Sequence, residues 1–199
     1  MKVSFDLDLE RDNDLLQLLI ERKKIDVNEA LFNACYEGNQ DVVQNLLSTD
    51  LCDVNYKVEN FLDKDFPGHT FTPLSIAVEK SHKDIVELLL ATGECNVVND
   101  KDDITWTLLM TAIFYNRIDI IELLIEAGAD VNIQNRRGET ALHIAIKSSY
   151  KNNKNIVELL LATGQCDVNL QNEDGYTAFR LAELTQQDDM IKLFKKNWN

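Results

Sequence analysis

The chain has 199 residues, of which 20 are Lys or Arg and 34 are Asp or Glu, so its formal net charge at pH 7 is −14. This acidic balance argues against non-specific nucleic-acid binding, which needs Lys and Arg to neutralise phosphates, and against binding to anionic membrane surfaces. Apolar residues make up 45% of the chain, a normal globular share. No apolar run approaches the roughly 20 residues that a membrane-spanning helix needs.

The N-terminus and the cysteines bear on the cellular compartment. The opening MKVSFDLDLER carries acids where a secretory signal has an apolar core, so we expect no signal peptide. The cysteines are widely spaced and form no C-x-x-C pair, which favours free thiols in a reducing compartment. They are Cys35, Cys52, Cys95 and Cys166. We therefore expect an intracellular and specifically cytoplasmic protein.

A two-part phrase recurs along the chain after a helix predicted over 14–24. Its first part begins at residues 29, 72, 107, 140 and 177, and the second copy reads TPLSIAVEKSHKDIVELLL. Its second part reads LLSTDLCDVN at 46–55, LLATGECNVV at 89–98, LIEAGADVN at 124–132 and LLATGQCDVN at 160–169. The shortest interval, from 107 to 140, is 33 residues. Self-similarity at a fixed period predicts a repeat architecture.

Each copy has the apolar spacing of two helices. In the second copy, Leu74, Ile76 and Ala77 mark a short helix, and the run from 85 to 90 marks a longer one. A glycine follows the second helix in three copies, where a left-handed residue ends a helix. One such pair cannot bury its own apolar face, so stacking on neighbouring pairs is expected to complete the core.

These phrases resemble the ankyrin repeat family, whose pattern runs T-P-L-H-x-A-A-x-x-G-H and then L-L-x-x-G-A-D-V-N. The segments 72–74, 140–143 and 128–132 match it best, and the resemblance covers roughly residues 12–197. It implies an all-α ankyrin-repeat solenoid of helix-turn-helix units with short hairpin connections. We expect one domain over 1–199, with an N-terminal cap over 12–28 and five repeats that start near 29, 72, 107, 140 and 177.

Three departures from the family pattern stand out. The first repeat opens with Glu29-Ala30 in place of Thr-Pro, and the second ends in Asn96-Val97-Val98, which indicates that its closing Asn is missing. The third is a long insertion at 56–71. It could be an elongated hairpin that reaches over a binding groove, or it could be neutral variation.

The residue types that carry chemistry have structural interpretations here. Cys52, Cys95 and Cys166 fall at a small-residue position, where we expect buried small side chains. The family position of His143 implies a hydrogen-bonding brace between repeats, and His82 lies at the turn between two helices. No metal-ligand spacing, phosphate loop or nucleophile motif is present. We expect no cofactor, no metal and no catalysis.

The Asn that closes the D-V-N phrase is expected to hydrogen-bond the backbone of the turn between repeats. It recurs as Asn28, Asn55, Asn132 and Asn169.

The resemblance also implies where a partner binds: on the hairpin tips and the exposed side of the first helices. Carried over by position, the candidates just before the motif Thr are Phe71, Trp106, Glu139 and Tyr176. Those on the first helices are Tyr36, Glu79, Phe114 and Tyr115, and Arg136 and Arg137 lie at a hairpin tip. Exposed aromatic side chains are typical of binding hot spots, so an aromatic centre at Phe71, Trp106, Phe114 and Tyr115 is expected to supply affinity. Alternatively, some of these rings fold onto a neighbouring hairpin and only stabilise it.

Acidic residues surround this predicted centre. They are Asp63, Asp65, Asp100, Asp102, Asp103, Glu173 and Asp174. They could form a rim that steers a basic partner, or a solvated surface that aids solubility. Arg136 and Arg137 break the pattern and could pair with an acidic element of a partner or with nearby hairpin acids.

We therefore expect a monomeric, non-catalytic module, a scaffold or adaptor, whose partner is another protein and neither nucleic acid nor a membrane. One alternative is an inhibitor or host-directed effector that covers a partner enzyme's active site. An enzyme is the remote alternative, and it would need a pocket with convergent polar groups and perturbed pKa values.

Overall fold

The computed structural model describes residues 25–58, 70–96, 98–101, 106–148 and 153–197. Most of the predicted cap, the middle of the long insertion with His69, and residues 102–105 and 149–152 lie outside the described residues. The chain divides into two compact units, and each is considered by itself. The N-terminal unit ends at Cys95 and the C-terminal unit begins at Asn96.

The N-terminal unit has four described helices in two pairs. They are α1 Val27–Glu37, α2 Gln40–Leu47, α3 Pro73–Lys80 and α4 Lys83–Ala91. The helices of each pair contact each other, α1 also contacts α3, and α2 contacts α4. Leu31, Leu46, Leu74, Ile85 and Leu89 are buried between these helices. Neither pair buries its apolar stripe alone, as the sequence predicts.

The C-terminal unit repeats this arrangement with six described helices. They are α5 Leu108–Phe114, α6 Ile118–Glu126, α7 Ala141–Lys147, α8 Asn153–Ala162, α9 Ala178–Leu184 and α10 Asp188–Asn197. The first helices of the three pairs stack in the order α5, α7, α9, and α8 contacts α10. The all-α architecture of repeated helix pairs is confirmed.

The motif Thr determines where the first helix of a pair begins. Thr72, Thr107, Thr140 and Thr177 are each the residue before such a helix. The Thr72 hydroxyl accepts a hydrogen bond from the Ser75 backbone N–H at 3.1 Å. The Thr107 and Thr177 hydroxyls accept equivalent bonds, and each of the three satisfies a donor that its helix leaves unpaired. The first repeat differs, because Asp26, three residues before Glu29, is the residue before α1 and accepts from the Asn28 and Glu29 backbone N–H groups.

The Asn after the second helix connects each repeat to the next. The Asn132 amide donates to the Gln165 carbonyl at 2.8 Å, and its oxygen accepts from the Asp167 backbone N–H at 2.7 Å. Asn55 donates in the same way to the Glu94 carbonyl at 2.9 Å. Asn28 accepts from the Asp53 backbone N–H at 2.8 Å, so the expected backbone bonding is confirmed for three of the four predicted Asn side chains; within the described residues Asn169 is the exception.

The prediction that the second repeat lacks this Asn is wrong. Asn99 donates to the Gly128 carbonyl at 3.1 Å and accepts from the Asp130 backbone N–H at 2.7 Å, the same two bonds that Asn132 makes. The segment CNVVN has one residue more than CDVN, so the Asn comes one position later in sequence and takes the same structural role.

The two ends of the long insertion pair with each other. Val58 and Phe71 form an antiparallel bridge, with N–O distances of 2.8 and 3.0 Å in the two directions. The insertion therefore leaves and rejoins the repeat at one point, as a hairpin does. Residues 59–69 between these ends lie outside the described residues.

We predict that Asn132→Ala lowers the free energy of unfolding by about 1–2 kcal/mol, because it removes two inter-repeat hydrogen bonds. The matched control is Asn169→Ala, since the Asn169 side chain has no hydrogen-bond partner within the described residues. Urea denaturation followed by circular dichroism measures both variants. Equal losses in the two would contradict the role given to the Asn132 amide.

Candidate functional site

The C-terminal unit contains an open cleft of about 370 Å³. Its walls come from the end of α5, the hairpin before α7 and the length of α7. The lining residues are Trp106, Phe114, Arg137, Glu139, Ile144, Lys147 and Ser148. This feature is called the cleft below. Its size is near the lower end of pockets that hold a ligand.

Three aromatic rings, called the aromatic cluster below, contact one another at the α5 side of the cleft. The Trp106 and Phe114 ring centres are 5.5 Å apart, and the Phe114 and Tyr115 centres are 5.2 Å apart. Both pairs have the edge-to-face geometry that aromatic quadrupoles favour, with interplanar angles of 83° and 81°. Phe114 is 52% exposed, whereas Trp106 and Tyr115 are half-buried. The neighbouring rings therefore hold an exposed apolar side chain in place.

A buried carboxylate forms part of the opposite wall. Glu139 is only 3% exposed, and both of its carboxylate oxygens accept hydrogen bonds, one from Lys147 and one from the Asn135 amide. Burial alone would raise the pKa of Glu139. The hydrogen bonds from Asn135 and Lys147, with the charges of Lys147 and Arg137, outweigh burial, so this pKa lies below its ordinary value. Glu139 is therefore ionised at neutral pH and bound to its neighbours.

An Asn side chain holds together each of two hairpins of the C-terminal unit, those before α7 and α9. The Asn135 oxygen accepts from the Arg137 and Glu139 backbone N–H groups at 2.8 and 2.9 Å. Asn172 makes the equivalent bonds, to Asp174 and Tyr176, in the next hairpin. The sequence analysis missed both Asn residues. The signal was the pattern N-x-x-G-x-T, which occurs at 135–140 and again at 172–177.

The two hairpins pack closely at Gly138. Its φ of 69° is in the left-handed region, and a Cβ there would lie 3.0 Å from the Asn172 Cα. The Glu173 backbone N–H donates to the Arg137 carbonyl at 2.9 Å across this contact. The backbone that carries Arg137 is therefore fixed on both sides.

His143 connects α7 to the following hairpin. Its Nδ1 accepts from the Thr140 backbone N–H at 3.2 Å, so the ring proton is on Nε2, which donates to the Tyr176 carbonyl at 3.0 Å. Burial lowers the pKa of His143, and the hydrogen bond to Tyr176 and the charge of Glu139 only partly oppose this effect. The predicted brace between repeats is confirmed. In the N-terminal unit, His82 Nε2 lies 3.2 Å from the Tyr36 carbonyl oxygen.

The structure brings together Trp106, Phe114 and Arg137 at one cleft, with the Tyr115 ring against Phe114, but two predicted contact residues are buried. Phe71 is 5% exposed, because its backbone pairs with Val58 and its ring packs in the core of the N-terminal unit. The Glu139 side chain is 3% exposed, and both of its carboxylate oxygens are bonded within the fold. The expectation that these two side chains are open to a partner is corrected.

The other predicted contact residues lie outside the cleft. In the N-terminal unit, the Lys80 ammonium lies 4.9 Å from the centre of the Tyr36 ring and 3.7 Å from a Glu79 carboxylate oxygen. Arg136 and Tyr176 are exposed in the C-terminal unit. That these residues contact a partner stays a prediction.

Ile144 and Ser148 line the cleft and were not among the predicted site residues. Ile144 has the apolar spacing of a core position, and no sequence signal distinguishes its face from the other buried residues of α7. Of the predicted acidic rim, Asp100, Glu173 and Asp174 are exposed. Asp63, Asp65, Asp102 and Asp103 lie outside the described residues.

Three thiols occupy equivalent places in three repeats. The sulfur atoms of Cys52, Cys95 and Cys166 lie 3.5, 3.3 and 3.2 Å from the carbonyl oxygens of Leu46, Leu89 and Leu160. They are half-buried, not fully buried as expected. Burial raises the pKa of all three and brings that of Cys166 to about 11. The described residues contain no group of three or more His, Cys, Asp or Glu side chains that could hold a metal ion.

A family model described as ankyrin repeats (3 copies) matches residues 9–99, 57–135 and 109–198. The chain belongs to the ankyrin repeat family. Membership indicates a protein–protein interaction module, and the family is typically non-catalytic.

Known relatives agree with this assignment. The ankyrin repeat protein YahD of Escherichia coli (strain K12) is 36% identical over 104 residues, which cover 50% of this chain and 48% of YahD. Inversin of Gallus gallus is 39% identical over 75 residues, or 38% of this chain and 6% of inversin. NF-kappa-B inhibitor alpha of Gallus gallus is 32% identical over 78 residues, or 39% and 24%. The matched regions cover less than half of each relative.

Across the described residues, no helix has both the length and the apolar character that a membrane crossing requires.

We predict that the protein loses stability as the pH falls below 6.5, the ordinary pKa of His. Because the folded-state pKa of His143 is lowered, the unfolded chain takes up a proton in this range that the folded chain does not. Urea unfolding at about pH 7.5 and about pH 5.5 measures the effect. In His143→Gln the difference between the two pH values is expected to shrink. An unchanged difference would show that another group causes the pH dependence.

We also predict that Lys147→Met lowers the free energy of unfolding by about 1–3 kcal/mol, because the buried Glu139 carboxylate loses its cation. The double variant Lys147→Met/Glu139→Gln removes the uncompensated charge and is expected to regain most of that loss. Urea denaturation of the two variants and the wild type provides the comparison. A double variant less stable than the single one would contradict this account of the pair.

Proposed function

We propose that this protein is a non-catalytic scaffold or adaptor that binds a partner protein in the cleft of its C-terminal unit. The observation that carries the proposal is Phe114, an aromatic side chain 52% exposed and held by Trp106 and Tyr115 at the edge of the cleft. A ring of this kind supplies contact area at low entropic cost, because its neighbours already restrict its rotamer.

The wall facing the aromatic cluster is also preorganised. Glu139 is fixed by Asn135 and Lys147, and the hairpin that carries it is fixed by Asn135 and by the next hairpin. A partner therefore meets a surface that is already ordered, and association does not have to order these side chains. The acidic charge of the whole chain, −14, supports a partner with a basic surface, since long-range attraction raises the association rate.

The bonding of two titratable groups of this unit supports binding without catalysis. In the cleft, both Glu139 oxygens already accept hydrogen bonds. His143, which is not among the lining residues, uses both of its ring nitrogens within the fold. Neither group is poised to exchange a proton with a substrate. We also propose an intracellular, cytoplasmic protein, supported by its four free thiols, and a monomer.

A second candidate is an inhibitor that covers a functional surface of its partner. The observation in its favour is the similarity to a relative whose name is NF-kappa-B inhibitor alpha, although the matched region is 24% of that relative. If the partner is an enzyme, its activity in the presence of the purified protein separates the two candidates. An inhibitor lowers that activity in proportion to the complex formed, whereas an adaptor leaves it unchanged.

We predict that Phe114→Ala lowers partner binding by roughly 30-fold, the effect of losing a hot-spot side chain worth about 2 kcal/mol. The measurement is affinity capture from the native cell lysate with quantitative mass spectrometry, using the wild type and the variant as baits. The matched control is Leu184→Ala, because Leu184 is similarly exposed, at 48%, and does not line the cleft.

A protein retained by the wild type and by Leu184→Ala but lost by Phe114→Ala identifies the partner. Circular dichroism must first show that both variants keep the helical content of the wild type. Equal capture by all three baits would contradict binding at the cleft and would direct attention to other surfaces.

A further inference from the structure

We propose that the cleft recognises an Asp or Glu side chain that lies next to an apolar or aromatic side chain on a linear segment of the partner protein. This inference rests on the proposed function, since it states the chemistry of the segment that the cleft accepts. It concerns contact inside the cleft, where the local charge differs in sign from the charge of the whole chain.

The charges that line the cleft leave a net positive site. Glu139 is the single carboxylate among its lining residues, and its charge is compensated by Lys147 and by the Asn135 amide. Arg137 also acts on Glu139 through its charge, but within the described residues it forms no ion pair with a carboxylate, and it is exposed. Arg137 and Lys147 line the cleft with one carboxylate, so the lining carries one net positive charge. An incoming carboxylate therefore meets the exposed Arg137 guanidinium, whereas an incoming Lys or Arg meets a carboxylate whose two oxygens already accept hydrogen bonds.

The backbone around Arg137 is fixed, which favours recognition over non-specific attraction. Its N–H donates to Asn135 at 2.8 Å, and its carbonyl accepts from Glu173 at 2.9 Å. A guanidinium presents parallel N–H donors that match the two oxygens of a carboxylate, a geometry that a Lys ammonium cannot reproduce. Anchoring the backbone reduces the entropy that such a pair must lose on forming.

The apolar half of the proposed motif follows from the rest of the lining. Trp106, Phe114 and Ile144 face the same cleft as Arg137. With a volume of about 370 Å³, the cleft is large enough for more than one side chain of a bound segment. A carboxylate at Arg137 thus places its neighbouring side chain within reach of the aromatic cluster.

The acidic charge of the chain does not prevent this contact. At physiological ionic strength the field of exposed charges falls off over about 8 Å. Distant acids therefore lower the association rate of an acidic segment. The stability of the bound complex depends on Arg137 and the other groups that line the cleft. The expected partner combines a local acidic and apolar motif with a more basic surface around it.

The test uses a display library of random linear peptides, selected against the purified full-length chain. We expect enriched sequences to carry Asp or Glu beside an aromatic or aliphatic residue. Synthetic copies of these peptides are then measured by fluorescence anisotropy. We expect Arg137→Glu to weaken binding by about tenfold or more, and Arg137→Lys to retain only part of the affinity because it lacks the planar fork.

The matched control is Arg117→Glu, which makes the same charge change at an exposed arginine that does not line the cleft. It is expected to leave the affinity within about twofold, since it alters only the screened long-range field. A similar loss in both Glu variants would overturn the inference, because it would show general electrostatics and not a site at Arg137.

Two further outcomes separate this inference from the proposed function. Peptides that require Phe114 but carry Lys or Arg, or that bind Arg137→Glu as well as the wild type, would overturn the acidic motif and leave binding at the cleft intact. Peptides that bind Phe114→Ala as well as the wild type would contradict both. A selection that enriches no sequence over the uncoated surface would also count against the inference.

Discussion

The constraint on which the rest of this structure depends is that a pair of short helices cannot bury its own apolar face. In each unit the missing half of the core comes from the neighbouring pair, so α1 packs on α3 in one unit and α5, α7 and α9 stack in the other. Packing of apolar faces has little directional preference. The Asn side chains supply direction, because Asn99 and Asn132 each bond two backbone groups of the next repeat and so fix its register.

The same requirement explains why a charged group lies in the wall of the cleft. Stacking α7 beside its neighbours buries Glu139, and a buried carboxylate is tolerated only when its oxygens are bonded. Lys147 and Asn135 provide these bonds. Glu139 and Lys147 form an ion pair, and Arg137 is the second cation among the lining residues, so the lining has a net positive charge. A structural need thus determines the local charge of the cleft.

Much of the fold was predictable from the sequence, because its signals are local or periodic. The motif Thr marks the start of four first helices, and the apolar spacing marks which helix faces are buried. Side-chain direction at the hairpins was not predictable. Phe71, Trp106, Glu139 and Tyr176 hold equivalent positions, yet two are buried and two are open to solvent to different degrees. What separates them is their neighbours, a bridge to Val58 in one case and an ion pair with Lys147 in another, and these partners are not part of the motif at the hairpin position.

Asn99 shows that a fixed sequence period does not identify every contact between repeats. Counted from the preceding Gly, Asn99 comes one position later than Asn169 does and two positions later than Asn132 does, so a strict reading of the motif rejects it. The structure retains its two hydrogen bonds because the turn absorbs the extra residue between the helix end and the Asn. The inter-repeat bonds depend on where the amide lies, and turns of different lengths can bring it to the same place. The same reasoning applies to the side chains that line the cleft. A position in the repeat predicts whether its side chain lines the cleft only when the hairpin that carries it is bonded in the same way.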